Sequence, residues 1–316
     1  MAARGQAKRT SRPEDGDVAE AATDGRAEPS PGRTAGKPAP GLHVVAVPIG
    51  NLGDLSGRAL ATLRDADVVA CEDTRVTARL LAAYGVKRRL QRYDDHVAES
   101  QRPKLLAALA DNASVALASD AGTPLVSDPG YKLVQAAIEA GLPVFAVPGP
   151  SAVLAALAIA GLPTDRFLFA GFLPNKSAAR RQALAELAAV PATLVFFESA
   201  ERVAKSLSDA EDVLGDRPAA VTRELTKRFE EARRGTLGDL ARHYAQAPTP
   251  KGEIVLVVGA PLDDVAEASA DDVDRLLAEA LRTQAVAGAA TLVAAQTGLP
   301  RRELYQRALT LRRSDP

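Results

Sequence analysis

Three loops rich in glycine and proline each leave an apolar run at its carboxyl side, and this arrangement most narrows the folds open to the chain. The densest is SDAGTPLVSDPG (residues 119–130), which follows the run SVALA (114–118) and feeds a helix-like segment at 131–140. PIGNLGD (48–54) follows LHVVAV (42–47), and PGPSA (148–152) follows the run at 143–147. In α/β proteins, loops at the carboxyl ends of strands hold small ligands. Three such loops in succession predict one composite pocket.

The first forty residues contain no Leu, Ile, Phe or Tyr and are rich in Ala, Gly, Pro and charge, so a disordered tail is expected over 1–40. Strands expected at 42–47, 66–71, 114–118 and 143–147 alternate with helices near 57–64, 76–84, 103–110 and 131–140. This βαβα order implies a first α/β domain at 41–150, its largely parallel sheet covered on both faces. After Gly161 the pattern restarts. Strands at 166–172, 193–197, 219–225 and 253–259, with helices at 177–189, 201–214 and 237–245, predict a second α/β domain at 151–261. Helical patterns at 273–282, 286–297 and 301–311 predict a small helical module within 262–316.

With 316 residues, 47% hydrophobic and 25% charged, the chain is long enough for two or more domains. No apolar run approaches a membrane span and the polar N-terminus lacks the apolar core of a secretory signal, so a cytoplasmic protein without a membrane partner is expected. A single cysteine, Cys71, excludes an intramolecular disulfide. Three histidines (His43, His96 and His243) argue against structural zinc, and no metal is expected. The net charge of −1 speaks against a uniformly basic nucleic-acid binder while leaving room for basic patches.

Exposed backbone amides in glycine loops suit anionic or polar ligands, which invites a nucleotide reading. The spacing, however, is wrong for dinucleotides: Gly50, Gly53 and Gly57 form G-x-x-G-x-x-x-G, and no G-x-x-x-x-G-K-[ST] occurs. The acidic neighbours Asp54, Glu72, Asp73, Asp120 and Asp128 better suit a neutral or cationic ligand with a ribose and an amino group.

Taken together, PIGNLGDLSGRAL, the EDTR at 72–75, SDAGTPLVSDPG, VPGPSA with the following GLPTDRFLFAGFLP, FFES (196–199), RELTK (223–227), RRGTL (233–237) and GEIVLVVG (252–259) resemble the ribosomal RNA small-subunit methyltransferase I family. That family belongs to the tetrapyrrole-methylase superfamily, and the resemblance runs from Leu42 through nearly the whole chain. It departs at 96–99, where His96, Val97, Ala98 and Glu99 stand in place of a His-Asn-Glu pattern. The resemblance implies two α/β domains with S-adenosyl-L-methionine in the cleft between them and a homodimer. It also implies methyl transfer to the 2'-hydroxyl of a cytidine in the decoding region of 16S ribosomal RNA in the small subunit. By motif position, Pro48, Gly50 and Asn51, the turn of Asp120, Ala121, Gly122 and Thr123, then Ser127 and Asp128, and finally Pro148, Gly149 and Pro150 would form the cofactor cleft. Phe197, Glu198 and Ser199, with Lys251, Gly252 and Glu253, would close over the adenosine.

Methyl transfer from a sulfonium is an in-line displacement. Positioning can supply roughly 7–11 kcal/mol and a general base about 10²–10⁴-fold, so alignment is expected to dominate. A ribose hydroxyl still needs a proton acceptor. Glu72, Asp73, Glu198 and Glu224 are the carboxylates at expected strand ends; Glu72 and Asp73 are placed nearest the reacting centre, Lys227 as a hydroxyl-polarising partner and Arg75 on an RNA phosphate. Glu72 and Asp73 are equally ordinary as caps of the following helix, Asp128 as a turn former, and Cys71 as core.

Basic clusters stand at 87–89 with Arg92, at Lys176, Arg180 and Arg181, at Arg223, Lys227 and Arg228, and at Arg233 and Arg234. These are candidate contacts to RNA phosphates. The stretch at 292–313, with Arg301, Arg302, Arg307, Arg312 and Arg313, resembles a helix-turn-helix. An RNA-contacting or packing module is one reading of it, and a DNA-binding regulator with a ligand-sensing body is another. Within the same fold, a tetrapyrrole C-methyltransferase or a methyltransferase acting on a modified protein residue also stays open.

Overall fold

The computed structural model describes residues 36–261, 270–297 and 299–314. Most of the expected N-terminal tail and residues 262–269 therefore lie outside the described part. The first sheet holds β1 (Gly41–Val45), β2 (Val68–Cys71), β3 (Leu90–Arg92), β4 (Ser114–Ala118) and β5 (Val144–Val147). All pairings are parallel, in the order β3-β2-β4-β1-β5. Every residue of β4 is buried, as a continuous apolar run in a sheet covered on both faces requires.

Helices α1 (Gly57–Asp65), α2 (Thr74–Ala83), α3 (Ala98–Ala110) and α4 (Tyr131–Glu139) connect these strands. The Ser56 side chain accepts the Ala59 amide to start α1, and Asp73 accepts the Arg75 amide to start α2. Helix α3 begins five residues before the expected Pro103. Asp94 explains the early start: its carboxylate accepts the amides of His96 and Val97, and its carbonyl accepts that of Ala98.

Helix α5 (Ala152–Ala160) was not expected as a helix. It is apolar on every side, so it carries no helical period to read, and it is bounded by the Ser151 cap and a left-handed Gly161. The second sheet has the order β6-β7-β10-β8-β9, from β6 (Phe167–Phe172), β7 (Thr193–Ser199), β8 (Pro218–Arg223), β9 (Glu231–Thr236) and β10 (Glu253–Val258). Only β6 and β7 pair in parallel.

The two-residue period of these strands divides the second core. Leu194, Phe196, Val221, Leu256 and Val258 pack with α6 (Ser177–Leu187), α7 (Val203–Leu214) and α8 (Leu237–Gln246). The alternate residues Val195, Ala220, Val255 and Val257 pack with α5 and with Ile49 of the PIGNLGD loop. Burial of each such large aliphatic or aromatic side chain contributes about 1.5–3 kcal/mol.

Helices α9 (Ala270–Leu281), α10 (Val286–Thr297) and α11 (Arg301–Ser314) enclose a core of their own, built on Val273, Leu277, Val293, Leu304 and Ala308. No described helix is long and apolar enough to cross a membrane.

Candidate cofactor cleft and catalytic groove

Because all strands of the first sheet run parallel, their carboxyl ends share one edge, and the strand order decides which loops meet. The three glycine loops follow β4, β1 and β5, which are consecutive neighbours. Side-by-side placement is reinforced by hydrogen bonds. Val47 and Gly122 exchange backbone bonds of 2.9 and 3.1 Å, and the Thr123 hydroxyl donates to the Pro150 carbonyl at 3.1 Å. Within the same loop Leu125 (φ 77°) and Ser127 (φ 64°) are left-handed without being glycine, which is local strain of the kind kept at binding sites.

These loops face a cleft of about 230 Å³. One wall is Ile49, Ala121, Gly122, Thr123, Val126, Ser127 and Asp128 with Ser151 and Ala152; the other, from the second sheet, is Phe172, Phe197, Glu198, Glu253, Ile254 and Val255. Phe197 meets Phe169 and Phe172 edge-to-face at 4.7 and 5.4 Å, giving that wall an aromatic lining.

On the other side of the SDAGTPLVSDPG loop, the ends of β3, β2 and β4 border a groove of about 600 Å³. Glu72, Asp73, Thr74, Arg75, Arg92, Asp94, Asp95, His96, Asp120 and Pro129 line it. Asp128 in the cleft and Glu72 and Asp120 in the groove stand on the wall between the two spaces. Burial, foremost, and then repulsion from neighbouring acids, Asp73 in the case of Asp120, push all three carboxyls above their ordinary range. Asp73 is the opposite case: Arg75 grips it with contacts from 2.5 to 3.1 Å and holds it far below that range. Among the described residues, no group of three or more His, Cys, Asp or Glu is arranged to hold a metal ion.

The Tetrapyrrole (Corrin/Porphyrin) Methylases family matches residues 41–241, and the RsmI C-terminal HTH domain matches 267–312. The chain is 56% identical over 277 residues to a Ribosomal RNA small subunit methyltransferase I from Mesorhizobium japonicum, covering 86% of this chain and 92% of the relative. The protein of that name from Escherichia coli O157:H7 is 43% identical, covering 85% of this chain and 94% of the relative. The chain belongs to the ribosomal RNA small subunit methyltransferase I family. It is therefore a methyltransferase. Solved structures agree at the level of fold. A cobalt precorrin-4 methyltransferase matches at TM-score 0.51 and 20% identity (69% of this chain, 94% of that one), and a diphthine synthase at 0.54 and 17% (69% and 89%).

On this methyltransferase fold, the structure sorts the residues expected from sequence. Ala121, Gly122, Thr123, Ser127, Asp128, Glu198 and Glu253 line the cleft, while Asp120 faces the groove. Pro48, Gly50 and Asn51 flank the lining Ile49, and Pro148, Gly149 and Pro150 precede the lining Ser151. Ser199 and Gly252 sit one residue outside the lining. Ile49, Val126, Ser151 and Ala152 lie in the three expected pocket loops without having been singled out, and Phe172, Ile254 and Val255 were missed, since an apolar wall residue carries no signal that separates it from core.

Several expected roles need correction. Asp73 is the cap of α2 and is locked to Arg75, which makes it a poor proton acceptor. Glu198 is buried in an ion pair with Arg202 at 2.5 Å and accepts the Ser206 hydroxyl at 2.5 Å, so its carboxylate is not available as a base. Arg180 is only 3% exposed and is bound to Asp209, which removes it from the RNA-contacting set. Arg223 is turned onto Glu231 and the Lys251 carbonyl. Arg301 bonds Thr291 and joins α11 to α10, whereas Arg302 is exposed.

Lys227 sits at the cleft edge, its ammonium 2.8 Å from both Glu224 and Glu253. Gly50 makes room for its stem: a Cβ there would lie 2.5 Å from Lys227 Cγ and Cε, and φ is +148°. Gly252 (φ +100°) does the same for the Glu224 side chain.

Proposed function

We propose that the chain transfers a methyl group from S-adenosyl-L-methionine to the 2'-hydroxyl of cytidine 1402 in 16S ribosomal RNA of the small subunit. The observation that carries this reading is the strand order, which sets a ligand-sized cleft and a nucleotide-sized groove on opposite sides of one carboxylate-bearing loop. The cleft fits the cofactor in kind: Ile49, Val126, Phe172, Phe197 and Val255 offer apolar surface for a purine, and Asp128 and Glu253 complement a cation and hydroxyl groups. When bound there, the cofactor supplies an activated methyl on a positively charged sulfur.

The remaining tasks fall to the protein. Strained backbone at Leu125 and Ser127 fixes the partition loop, so that whatever lies in the cleft and in the groove is held in one alignment. Glu72, kept above the usual carboxylate range and facing the groove, accepts the ribose hydroxyl proton at neutral pH. Exposed Arg302 and Arg312 of α11 meet RNA phosphates. A homodimer belongs to this reading on the family resemblance.

Two measurements test it. Gly50→Val is expected to weaken S-adenosylmethionine binding by more than about tenfold in titration calorimetry. The new side chain must displace a lysine stem whose ammonium is anchored at its far end, and so shift Ile49. Unchanged affinity would remove the cofactor from this cleft. Incubated with labelled cofactor, the protein should label RNA of small subunits taken from cells lacking it and leave a tetrapyrrole substrate unlabelled. The reverse pattern would transfer the function to tetrapyrrole chemistry.

A further inference from the structure

The loop from 224 to 230, between β8 and β9, is built to hold one aromatic ring out in solvent. Its inner side is fixed. Leu225 is 7% exposed in the core shared with Ile49, and Lys227 ties the loop to Glu253 of the cleft wall. Glu224 (φ 50°) and Thr226 (φ 65°) are left-handed, and the Thr226 amide donates to the Glu230 carboxylate at 2.5 Å. The Lys227 amide donates to the Glu224 carbonyl at 3.0 Å, and that of Glu230 to the Lys227 carbonyl at 3.1 Å. On this frame Phe229 is 64% exposed. An isolated aromatic held out by a tightly bonded loop gains nothing for the fold, since it buries little area.

The surroundings say what would cover it. Arg228 Cζ lies 5.5 Å from the Phe229 ring centroid, within cation–π range, and among the described residues Arg228 makes no ion pair. The nearby acids are already engaged: Glu230 by the Thr226 amide, Glu231 by Arg223 and Arg233. What is presented is therefore an aromatic face with an unpaired guanidinium, a combination that suits a stacked nucleobase and its phosphate. A duplex would not offer that base face.

We propose that Arg228 and Phe229 form a stacking platform for an unpaired base of the RNA substrate, at the edge of the cleft where Lys227 holds the loop to Glu253. The inference rests on the RNA methyltransferase reading above. Stacking on one aromatic is worth enough that Phe229→Ala should raise the KM for small ribosomal subunits about tenfold to a hundredfold. The affinity for S-adenosylmethionine should stay within about twofold. Phe229→Trp should restore that KM. Because the chain has no other tryptophan, its emission should report stacking directly, by quenching when subunits are added. Arg228→Ala should lower the salt dependence of subunit binding by about one phosphate contact, and Phe229→Ala should leave that slope alone.

A Phe229→Ala variant with wild-type KM would overturn the platform. So would a Phe229→Trp variant that binds subunits without quenching, or one that fails to restore KM. If the wild-type enzyme itself does not methylate subunits, the underlying reading fails; if it does and the variants match it, only the platform fails.

Discussion

Glu72→Gln is expected to lower the methyl-transfer rate constant by roughly 10²–10⁴-fold, the usual worth of a general base. Asp73→Asn should cost less than about tenfold. Both residues directly follow β2 and both border the groove, so spacing alone does not separate them. Their environments do. Asp73 is held ionised by Arg75 and caps α2, a task asparagine also performs. Glu72 is raised above the ordinary glutamate range by burial and then by the charges of Asp120 and Asp128. A base must be ionised to act, so the wild-type rate should climb with pH through an apparent pKa above the ordinary glutamate range, and this limb should vanish in Glu72→Gln.

Stability supplies the control. For an acid whose folded pKa is raised, the favourable contribution is present below the unfolded pKa and is lost as pH rises through the folded one. Glutamine keeps the neutral form, so the variant should be no less stable than wild type at neutral pH. Full activity in Glu72→Gln would move the proton acceptor to Asp120 or Asp128.

Arg180→Met is expected to destabilise the fold by about 3–5 kcal/mol, while leaving the salt dependence of RNA binding unchanged. The guanidinium reaches Asp209 at 2.6 and 2.7 Å and donates to the carbonyls of Pro174 and Asn175, pinning the start of α6 to α7. Removing it leaves a nearly buried carboxylate with the Ser177 hydroxyl and a longer 3.4 Å contact to Arg181. Arg181 is 42% exposed and also pairs with Asp212, so it offsets only part of the loss. Adding Asp209→Leu should recover much of the stability, because the costly element is the unpaired charge. Denaturant melts of the single and double variants measure this. A loss below about 1 kcal/mol in Arg180→Met would mean that the pair is not buried in solution.

The contrast between Arg180 and the glycine loops shows what was legible. Loop composition and position after apolar runs pointed to a composite pocket, and the strand order β4-β1-β5 supplies the adjacency that it needed. The paired Arg180 and Arg181 read as surface charge; burial of the first depends on Asp209, a partner 29 residues away. Edge strand β9, EARRGT, was not expected because charges at an edge erase the apolar alternation that marks a strand. Helix α5 was hidden for the opposite reason, being apolar all round. Asp73 and Glu72 were indistinguishable until Arg75 was seen to claim one of them.

The most direct test of the central claim is where the methyl group goes. Small subunits from cells lacking this protein, incubated with it and labelled S-adenosylmethionine, should yield 16S RNA whose nucleoside digest carries the label in 2'-O-methylcytidine. Label on the base of a nucleoside, or RNA without label beside a methylated tetrapyrrole, would contradict the account.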